Sequence, residues 1–466
     1  MKKNNEKRPP IVTVLGHVDH GKTTLLDVLR KTNVASREAG GITQKIGASQ
    51  ITTKAGKKIT FIDTPGHEIF SGMRKRGVKL ADIAILVVAA DDGVAPQTRE
   101  AIKVINEAKI PFIVALTKID LPTASTESTV GQLEKEGIFF EGRGGQTPKV
   151  ELSAKSGQGI DSLLELIILL SEVSEIGASP DSALEAVVVE TNKGKGGPLV
   201  NAVVRNGKIA FGDVVLSDGV SGKVKALTND KGESIKEALP GDPVQILGFE
   251  NLPGVGSLII HSNKVVKSDE KTTTRTSIVV EKGQLAFIIK TENAGAMEAI
   301  LASMPKDVVV VTSGIGDVSE GDVFTAKASG ARVFTFESKI PSGVAKLAET
   351  EGVEVKAFRI VYEMFKEIEE LVALGKENVL GRAEVVASFP FNNKKVAGSK
   401  ISSGKIMKST SLRLMRGEKE LGMVKVISLR KGKDEVLEAK EGEECGILFV
   451  PQLDFEVGDV LLSIAK

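Results

Sequence analysis

The chain has 466 residues, enough for about three or four domains, and its formal net charge of +1 indicates no partner by itself. A single cysteine, Cys445, excludes a disulfide within the chain and fits a reducing compartment. The first ten residues are polar, and the longest aliphatic run, Ile83 to Ala90, is far shorter than the roughly 20 residues that span a bilayer, so we expect a cytoplasmic protein without membrane contact.

Residues 1–178 alternate short aliphatic runs with helical stretches. The runs predicted as buried strands are Ile11–Leu15, Thr60–Asp63, Ile83–Ala90, Phe112–Thr117 and Val150–Ser153. A helical pattern follows most of them. This alternation predicts an α/β domain with a mainly parallel sheet and helices on both faces.

The residue pattern of the rest of the chain changes several times. Valine-rich pieces and glycine turns in residues 179–270 predict an antiparallel β-barrel. Residues 271–356 return to strand–helix alternation, which predicts a small α/β domain. Residues 357–377 predict one long connecting helix, because apolar residues recur at three- and four-residue spacing at Val361, Met364, Phe365, Ile368, Leu371 and Val372. Residues 378–466 are β-patterned again, with glycine turns, and predict a C-terminal β-barrel.

The first predicted strand is followed by a glycine-rich motif of the form G-x4-G-K-T, made by Gly16, His17, Val18, Asp19, His20, Gly21, Lys22 and Thr23. Its place between a strand and a helix is typical of a phosphate-binding loop, whose backbone N–H groups point at phosphate oxygens. Lys22 adds positive charge at the terminal phosphates, and the Thr23 hydroxyl can ligate Mg²⁺. A chance glycine turn is the alternative, and this context argues against it.

A second motif ends the next long strand and consists of Asp63, Thr64, Pro65, Gly66 and His67. Asp63 can hold Mg²⁺ directly or through water, and the Gly66 N–H can sense a third phosphate. His67 is placed to orient an attacking water, which suits phosphoryl transfer, a reaction that depends on positioning and charge. Between the two motifs, the glycine-flanked Thr43 suits a loop that orders around Mg²⁺ and the third phosphate.

Two motifs later in the domain indicate which base is bound. Thr117, Lys118 and Asp120 end the Phe112–Thr117 strand, and Ser153, Ala154 and Lys155 end the following one. The Asp120 carboxylate can accept hydrogen bonds from the guanine N1–H and N2–H groups, which adenine lacks. An unpaired Asp120 would cost about 1–3 kcal/mol, so the sequence favours GTP over ATP. Each motif is weak alone, but all five in order predict a GTP-hydrolysing domain.

These motifs resemble those of the translational GTPases. The stretch Arg37–Ala48, together with Gly16–Thr23 and Asp63–Phe70, is similar to bacterial translation initiation factor two, over nearly the whole chain. The resemblance implies a GTP-dependent factor that places initiator formyl-methionyl-tRNA on the small ribosomal subunit, promotes subunit joining and hydrolyses GTP. It also implies a monomer off the ribosome. Relatives commonly carry a long N-terminal region, whereas little precedes Pro9 here, so we expect a short form.

The resemblance also implies a tRNA-binding set in the C-terminal barrel: Ser399, Arg430, Lys431, Glu444, Cys445 and Gly446. This chain departs from the pattern in that barrel, where Ser399 replaces an expected cysteine and an aromatic residue is missing beside Arg430 and Lys431. It departs in the GTP site as well, because most relatives have asparagine at Thr117. A hydroxyl can replace only part of the hydrogen bonding of an amide.

Charge within the C-terminal barrel supports an RNA partner. Residues 392–440 contain thirteen lysine or arginine residues and five acidic residues, a local net charge of +8. Such a segment suits phosphate contacts, although a solvated charged surface is the alternative. Only 4% of the chain is aromatic, which favours recognition of a folded RNA end over base stacking on single strands.

Three other functions remain open from the sequence. An elongation-type carrier of aminoacyl-tRNA would place barrels directly after the GTPase domain, without the α/β domain and long helix. The GTPase subunit of a sulfate-activating enzyme would share Gly16–Thr23 but would predict neither Arg37–Ala48 nor a basic C-terminal barrel. A non-hydrolysing RNA-binding module is disfavoured by His67 and Thr43.

Overall fold

The computed structural model describes residues 6–32, 43–44, 46–262, 285–375, 379–391, 394–408, 410–417, 419–432 and 434–464. Most of the Arg37–Ala48 stretch and the last residues assigned to the connecting helix lie outside the described residues. The chain forms two units. The first contains residues 1–281 and 286–365, and the second contains residues 282–285 and 366–466.

The first domain of the first unit is built on a six-stranded sheet with the order β3-β4-β2-β5-β6-β7. The strands are β2 (Ile11–Gly16), β3 (Gly47–Thr52), β4 (Lys58–Asp63), β5 (Ile83–Ala89), β6 (Phe112–Thr117) and β7 (Lys149–Glu151), and a separate short antiparallel pair joins β1 (Glu6–Lys7) to β8 (Gly177–Ala178). All neighbours in the six-stranded sheet are parallel except β3, which pairs antiparallel with β4. The five predicted strands are confirmed.

The edge strand β3 was not predicted from the sequence. Its residues alternate only weakly, and Ile51 is the one residue of the strand that is buried. An antiparallel edge strand can face solvent on one side, so it does not need the continuous aliphatic run that marks a central parallel strand.

Five helices cover the two faces of this sheet: α1 (Lys22–Arg30), α2 (Ser71–Leu80), α3 (Pro96–Ala108), α4 (Thr126–Lys135) and α5 (Ile160–Val173). Helices α1 and α5 supply Leu25, Leu26 and Leu163 to the core on one face. Helices α3 and α4 supply Ile105 and Leu133 to the core on the other face. The sheet is therefore buried on both sides, as the sequence predicted.

A closed barrel follows in the same unit. Its strands are β9 (Glu185–Gly194), β10 (Gly197–Asn206), β12 (Val214–Ser217), β13 (Val220–Thr228), β16 (Pro243–Phe249) and β17 (Leu258–His261), with the short strands β11 (Ile209–Ala210), β14 (Ser234–Ile235) and β15 (Glu237–Ala238) beside them. The order β12-β17-β9-β10-β16-β13 closes because β13 also pairs with β12. Alternate residues of these strands fill one aliphatic core.

The small α/β domain consists of a four-stranded sheet and three helices. The sheet has the order β19-β18-β20-β21 and contains β18 (Leu285–Thr291), β19 (Val308–Ile315), β20 (Arg332–Phe336) and β21 (Val355–Phe358). The helices are α6 (Ala294–Ala302), α7 (Glu320–Ser329) and α8 (Ser342–Glu351). Helix α7 begins with a reciprocal capping box, in which Ser319 and Asp322 each accept a backbone N–H bond from the other.

The long helix α9 spans Val361–Gly375 and begins later than the sequence predicted. Residues 357 and 358 are not helical, because they end strand β21, which pairs in parallel with β20. Of the six predicted apolar positions on the helix, three are fully buried, Val361, Met364 and Ile368, and three are partly buried, Phe365, Leu371 and Val372. The change from strand to helix within a few residues places the helix start beside the sheet of the small α/β domain.

The second unit holds another closed barrel, whose main strands are β22 (Val379–Phe391), β23 (Lys394–Met407), β24 (Ser411–Arg416), β25 (Lys419–Lys431), β28 (Glu444–Val450) and β29 (Val460–Ile464), with short strands β26 (Asp434–Glu435) and β27 (Glu438–Lys440). When the six main strands of each barrel are numbered along the chain, both barrels follow the circular order 1-2-5-4-3-6. The two barrels thus share one topology, a relationship that sequence alone did not reveal.

A buried ion pair connects the beginning of the first domain to its sheet. Arg8 Nη1 and Nη2 donate to the two Asp82 carboxylate oxygens at 2.7 Å each, and the Ile11 N–H donates to the same carboxylate at 2.8 Å. The Arg8 and Asp82 side chains are 7% and 9% exposed. Water therefore cannot replace either partner without rearrangement of the chain around it.

We expect Asp82→Ala to lower the stability of the first domain by about 3–5 kcal/mol, because it leaves the Arg8 guanidinium buried without a counter-charge. The midpoint of thermal unfolding, followed by circular dichroism, measures this. Glu172→Ala is the matched control, since Glu172 pairs with Lys7 and Lys57 at the surface, and we expect no resolvable shift. Equal midpoints for both variants would contradict a structural role for the buried pair.

Candidate functional site

A cavity of about 360 Å³ collects residues from all five sequence motifs of the first domain. Its lining residues are Val18, Asp19, Gly21, Lys22, Thr23, Thr24, Thr43, Gly66, His67, Thr117, Lys118, Asp120, Leu121, Ala154 and Lys155. The other predicted residues do not line it: Gly16, His17, His20, Asp63, Thr64, Pro65 and Ser153. The structure therefore brings the motifs together and adds Thr24 and Leu121, which sequence reasoning had missed.

The glycine-rich loop depends on a close backbone approach at its first residue. Gly16 has a φ of 147°, and a Cβ built there would lie 3.2 Å from the Val87 carbonyl carbon. Only glycine lets the chain turn over the end of β5 at this point. The loop then leads through Asp19, whose φ of 61° is left-handed, into helix α1 at Lys22. This geometry brings the helix N-terminus to the cavity, which favours an anion there.

The His20 side chain anchors the same loop through hydrogen bonds at both ring nitrogens. Its Nδ1 accepts the Ala89 N–H at 3.3 Å, so the neutral ring carries its proton on Nε2, which donates to Asp92 at 2.9 Å. Burial lowers the pKa of His20 although the Asp92 bond opposes this shift. His20 is thus a neutral structural group of the loop.

The Thr117 hydroxyl forms a hydrogen bond to the glycine-rich loop despite its short side chain. Its hydroxyl, which is 2% exposed, donates to the His20 carbonyl oxygen at 2.7 Å. The strand β6 therefore remains tied to the glycine-rich loop. A single hydroxyl has one proton to donate, so this bond leaves it none for a base.

The end of the cavity that is predicted to hold the base is lined by Asp120, Lys118 and Lys155. A hydrogen bond from the Ser153 hydroxyl lowers the pKa of Asp120, and Lys155 acts in the same direction. Asp120 is therefore an ionised acceptor at neutral pH. Lys118 has a left-handed φ of 58° and lies 3.6 Å from Asp91, which directs the chain around this end of the cavity.

Lys22 lies at the predicted phosphate end of the cavity, and its charge is largely desolvated. The side chain is 6% exposed, and its ammonium group donates to the His17 carbonyl oxygen. Burial lowers the pKa of Lys22 to about 8, although the nearby Asp63 opposes this shift. A buried ammonium in contact with one neutral acceptor is a strong site for an anion.

His67 occupies the opposite wall and is held at one nitrogen. Its Nδ1 accepts the Ile69 N–H at 3.2 Å, so the neutral ring has Nε2–H as its free donor. Burial, with a smaller contribution from Arg74, lowers the pKa of His67 to about 4. The ring packs edge-on against the Tyr362 ring, with centroids 4.1 Å apart. His67 is therefore a neutral hydrogen-bond donor at physiological pH.

Arg74 holds the backbone of the loop that carries His67. Its Nη1 donates to the carbonyl oxygens of Pro65 and His67, the first at 3.2 Å. Its Nη2 donates to Glu100 Oε2 on α3 at 2.6 Å, and the arginine is 1% exposed. This pair joins the loop to α2 and α3 through one planar guanidinium.

Three predicted ligands fit a magnesium ion. The Thr23 and Thr43 hydroxyl oxygens lie 2.8 Å apart, and Asp63 is buried with its Oδ1 lacking a hydrogen-bond partner. Burial raises the pKa of Asp63 to about 6, although Arg30 and Lys22 oppose the shift. A carboxylate oxygen without a hydrogen-bond partner and two hydroxyls are donors of the kind that Mg²⁺ prefers, although Asp63 itself does not line the cavity.

Gln44 and Tyr362 are the site residues that sequence reasoning missed most clearly. Gln44 follows Thr43 but bonds to the backbone at the start of α9, and Tyr362 comes from α9 itself. Gln44 is more than 300 residues away from its partners along the chain, so no local pattern connects them. The one sequence feature that singled out Tyr362 is that it is the only tyrosine in the chain.

A second cavity, of about 560 Å³, lies in the C-terminal barrel. Five of the six predicted tRNA-binding residues line it, namely Ser399, Arg430, Glu444, Cys445 and Gly446, whereas Lys431 does not. Ser399 and Cys445 face each other across β23 and β28. Burial raises the pKa of the Cys445 thiol to about 11, so it stays neutral and packs with the barrel core. The half-exposed Phe389 adds an apolar wall.

Ion pairs reduce the basic charge that the sequence predicted for this barrel. Within the described part of residues 392–440, ion pairs with acids are formed by Lys395, Lys405, Lys408, Arg416, Lys431 and Lys440. Several of these acids follow residue 440, and over residues 378–466 fifteen basic and twelve acidic residues give a net charge of +3. Arg430 keeps an exposed position at the cavity.

We expect His67 to titrate with a pKa of about 4 and therefore to be uncharged at physiological pH. The physical reason is that burial disfavours the imidazolium ion, and the Arg74 charge adds to this. In carbon-13 histidine NMR of the full chain, with His67 assigned through His67→Gln, its signal should not move between about pH 8 and pH 5.5. A His67 signal that titrates near its ordinary value of 6.5 would contradict the buried donor role.

Three segments of the chain match known protein families. Residues 7–172 match the elongation factor Tu GTP binding domain, residues 183–262 match elongation factor G domain 2, and residues 261–369 match translation-initiation factor 2. Among the described residues, no helix has the length and apolar character needed to cross a membrane.

Whole-chain relatives agree with these matches. Translation initiation factor IF-2 of Halothermothrix orenii is 42% identical, with 97% of this chain and 71% of the relative covered. Translation initiation factor IF-2 of Caulobacter sp. (strain K31) is 40% identical over 98% of this chain, which spans 47% of that longer relative. The crystal structure of GDP-bound aIF5B from Aeropyrum pernix is 25% identical, covering 99% of this chain and 92% of that one, with a TM-score of 0.48. On the identity and coverage of its relatives, the chain belongs to the translation initiation factor IF-2 family.

Proposed function

We propose that this protein is a GTP-dependent initiation factor. It would place initiator formyl-methionyl-tRNA on the small ribosomal subunit, promote joining of the large subunit and hydrolyse GTP when both subunits are present. The observation that carries the proposal is the single cavity in which Lys22, Asp120 and His67 meet. Family membership supports it, because the relatives are named as translation initiation factors.

Guanine recognition would depend on Asp120. The ionised carboxylate accepts hydrogen bonds from the base, and Ser153 keeps it ionised by donating to it. An adenine base would leave the carboxylate without these partners, at a cost of about 1–3 kcal/mol. Ala154 and Lys155 complete the wall around the base. The Thr117 hydroxyl donates its proton to the His20 carbonyl oxygen. The base contacts would therefore come chiefly from Asp120 and its neighbours.

Phosphate binding would use the glycine-rich loop and Lys22. The loop offers backbone N–H groups at the start of α1, and Lys22 offers a desolvated ammonium group. A phosphate would give the Lys22 ammonium group a negatively charged partner, whereas the His17 carbonyl oxygen is only a neutral acceptor. Thr23, Thr43 and Asp63 would hold Mg²⁺, which neutralises charge on the terminal phosphates.

Hydrolysis would proceed by attack of water on the terminal phosphorus. Neutral His67 donates Nε2–H to the water and holds it in position, while Arg74 fixes the backbone beneath the ring. The new bond joins the water oxygen to phosphorus, the bond from phosphorus to the bridging oxygen of GDP breaks, and the water protons pass to the phosphate released. This is catalysis by positioning, since a neutral ring with a protonated Nε2 cannot accept the proton there.

The cavity of the C-terminal barrel would receive the acylated end of the tRNA. Its apolar wall at Phe389 and its neutral Cys445 suit an uncharged aminoacyl group, and the exposed Arg430 suits a phosphate at the rim. Gly398 keeps the wall open, because a Cβ there would lie 2.7 Å from Phe389 Cε2. A blocked amino group would enter such an apolar cavity at lower desolvation cost than a free ammonium group.

We expect ribosomal subunits together to stimulate GTP hydrolysis strongly, and His67→Ala to reduce the stimulated rate by about a hundredfold or more. Steady-state phosphate release with and without each subunit measures this. His261→Ala is the matched control, since His261 lies in the first barrel and pairs with Asp213, and its rate should equal that of the wild type. A wild type that ribosomes fail to stimulate would contradict the translational role, and full stimulation of His67→Ala would exclude His67 as the positioning donor.

We expect Arg430→Ala to weaken binding of formyl-methionyl-tRNA and to reduce the slope of log affinity against log salt by about 0.7–0.9, the loss of one phosphate contact. Titration of labelled tRNA at several salt concentrations measures both quantities. Lys395→Ala removes the same charge away from the cavity, where it pairs with Asp454, and should leave the slope unchanged. Equal slopes in both variants would show that Arg430 makes no phosphate contact.

A further inference from the structure

The side chain of Gln44, which follows Thr43 of the GTP site, bonds to the backbone at the start of a distant helix.

 Its Nε2 donates to the Arg359 carbonyl oxygen at 2.9 Å, and its Oε1 accepts the Val361 N–H at 3.1 Å. The side chain is 2% exposed. Both halves of one amide are thus bonded to the backbone where helix α9 begins.

The bond to Val361 supplies something that the helix itself cannot. Val361 is the first residue of α9, and the first N–H groups of a helix have no acceptor within it. This N–H is buried, so a lost partner is not simply replaced by water. The Gln44 amide can form both bonds because it carries a donor and an acceptor, whereas an ionised carboxylate has no proton to give.

Gln44 also follows directly after Thr43, a predicted ligand of Mg²⁺. The Thr43 hydroxyl lies 2.8 Å from that of Thr23 in the glycine-rich loop. Because neighbouring Cα atoms are held about 3.8 Å apart, Thr43 cannot leave this position without pulling on Gln44. The same turn of α9 carries Tyr362, whose ring packs against His67. One helical turn therefore contacts both Gln44 and His67.

We propose that Gln44 is a positioning residue that couples the occupant of the phosphate site to the first turn of α9. With a third phosphate present, Thr43 stays at the site and Gln44 caps the helix. When that phosphate is lost, Thr43 is released, Gln44 withdraws, and Val361 loses its acceptor. The inference rests on the proposed function, because it takes Thr43 to face the third phosphate of GTP.

Hydrogen exchange at the Val361 amide of the full chain tests the coupling directly. In the wild type we expect exchange to be about tenfold slower with a non-hydrolysable GTP analogue than with GDP, the factor of one hydrogen bond. Gln44→Ala should exchange rapidly with either nucleotide. Gln50→Ala is the matched control, because Gln50 bonds to Thr60 and Asp242 instead, and it should behave as the wild type.

A second variant covers the possibility that Gln44→Ala loses packing. Gln44→Glu fills the same space and keeps the acceptor for Val361 but loses the donor to Arg359. We expect protection to fall in the order wild type, Gln44→Glu, Gln44→Ala. The same protection in all three proteins, or protection in the wild type that does not depend on the nucleotide, would overturn the proposal.

Two further readouts separate this proposal from the proposed function. The chain has one tyrosine and no tryptophan, so its intrinsic emission reports on Tyr362 alone, and it should differ between the analogue and GDP in the wild type but not in Gln44→Ala. Ribosome-stimulated turnover should fall about tenfold in Gln44→Ala, with GTP affinity changed less than about threefold. A wild type without stimulated turnover would remove the proposed function, whereas normal turnover and emission in Gln44→Ala would remove only the coupling.

Discussion

The parallel sheet of the first domain is the constraint on which the site depends. In register, Val14 lies beside Asp63, Gly16 beside Val87 and Ala89 beside Thr117. The carboxyl ends of these strands therefore meet at one edge, and each motif that follows a strand is delivered there. Residues far apart in sequence become neighbours without any motif specifying the others.

Two buried groups of opposite charge, Lys22 and Asp63, lie at this edge. Burial lowers the pKa of Lys22 and raises that of Asp63, so each group is held in an environment that disfavours its own charge. A phosphate beside Lys22 and Mg²⁺ beside Asp63 would relieve both penalties at once. The Lys22 and Asp63 side chains are thus already removed from water before a ligand binds. Such electrostatic preorganisation is what phosphoryl transfer requires.

The sequence predicted the parts of the site that depend on local order and missed those that depend on distant contacts. The strands and the Gly16–Thr23 loop were predictable because hydrophobic runs and strand-to-helix turns are local patterns. The edge strand β3 was missed because it is half solvated, and the start of α9 was misplaced because β21 precedes it. The basic charge of the second barrel was overestimated, since acids beyond residue 440 pair with residues inside the segment.

The contact between Gln44 and α9 is too weak to act alone, and its size suggests how hydrolysis is controlled. Two hydrogen bonds contribute on the order of 2 kcal/mol, which shifts a two-state equilibrium about thirtyfold. Complete conversion from one state to the other needs about 5.5 kcal/mol. The remaining bias must come from other contacts of the same turn, such as Tyr362 on His67, or from an external partner. Under the proposed function, a ribosome that contacts this region would supply that bias, and GTP binding alone would only prepare the step.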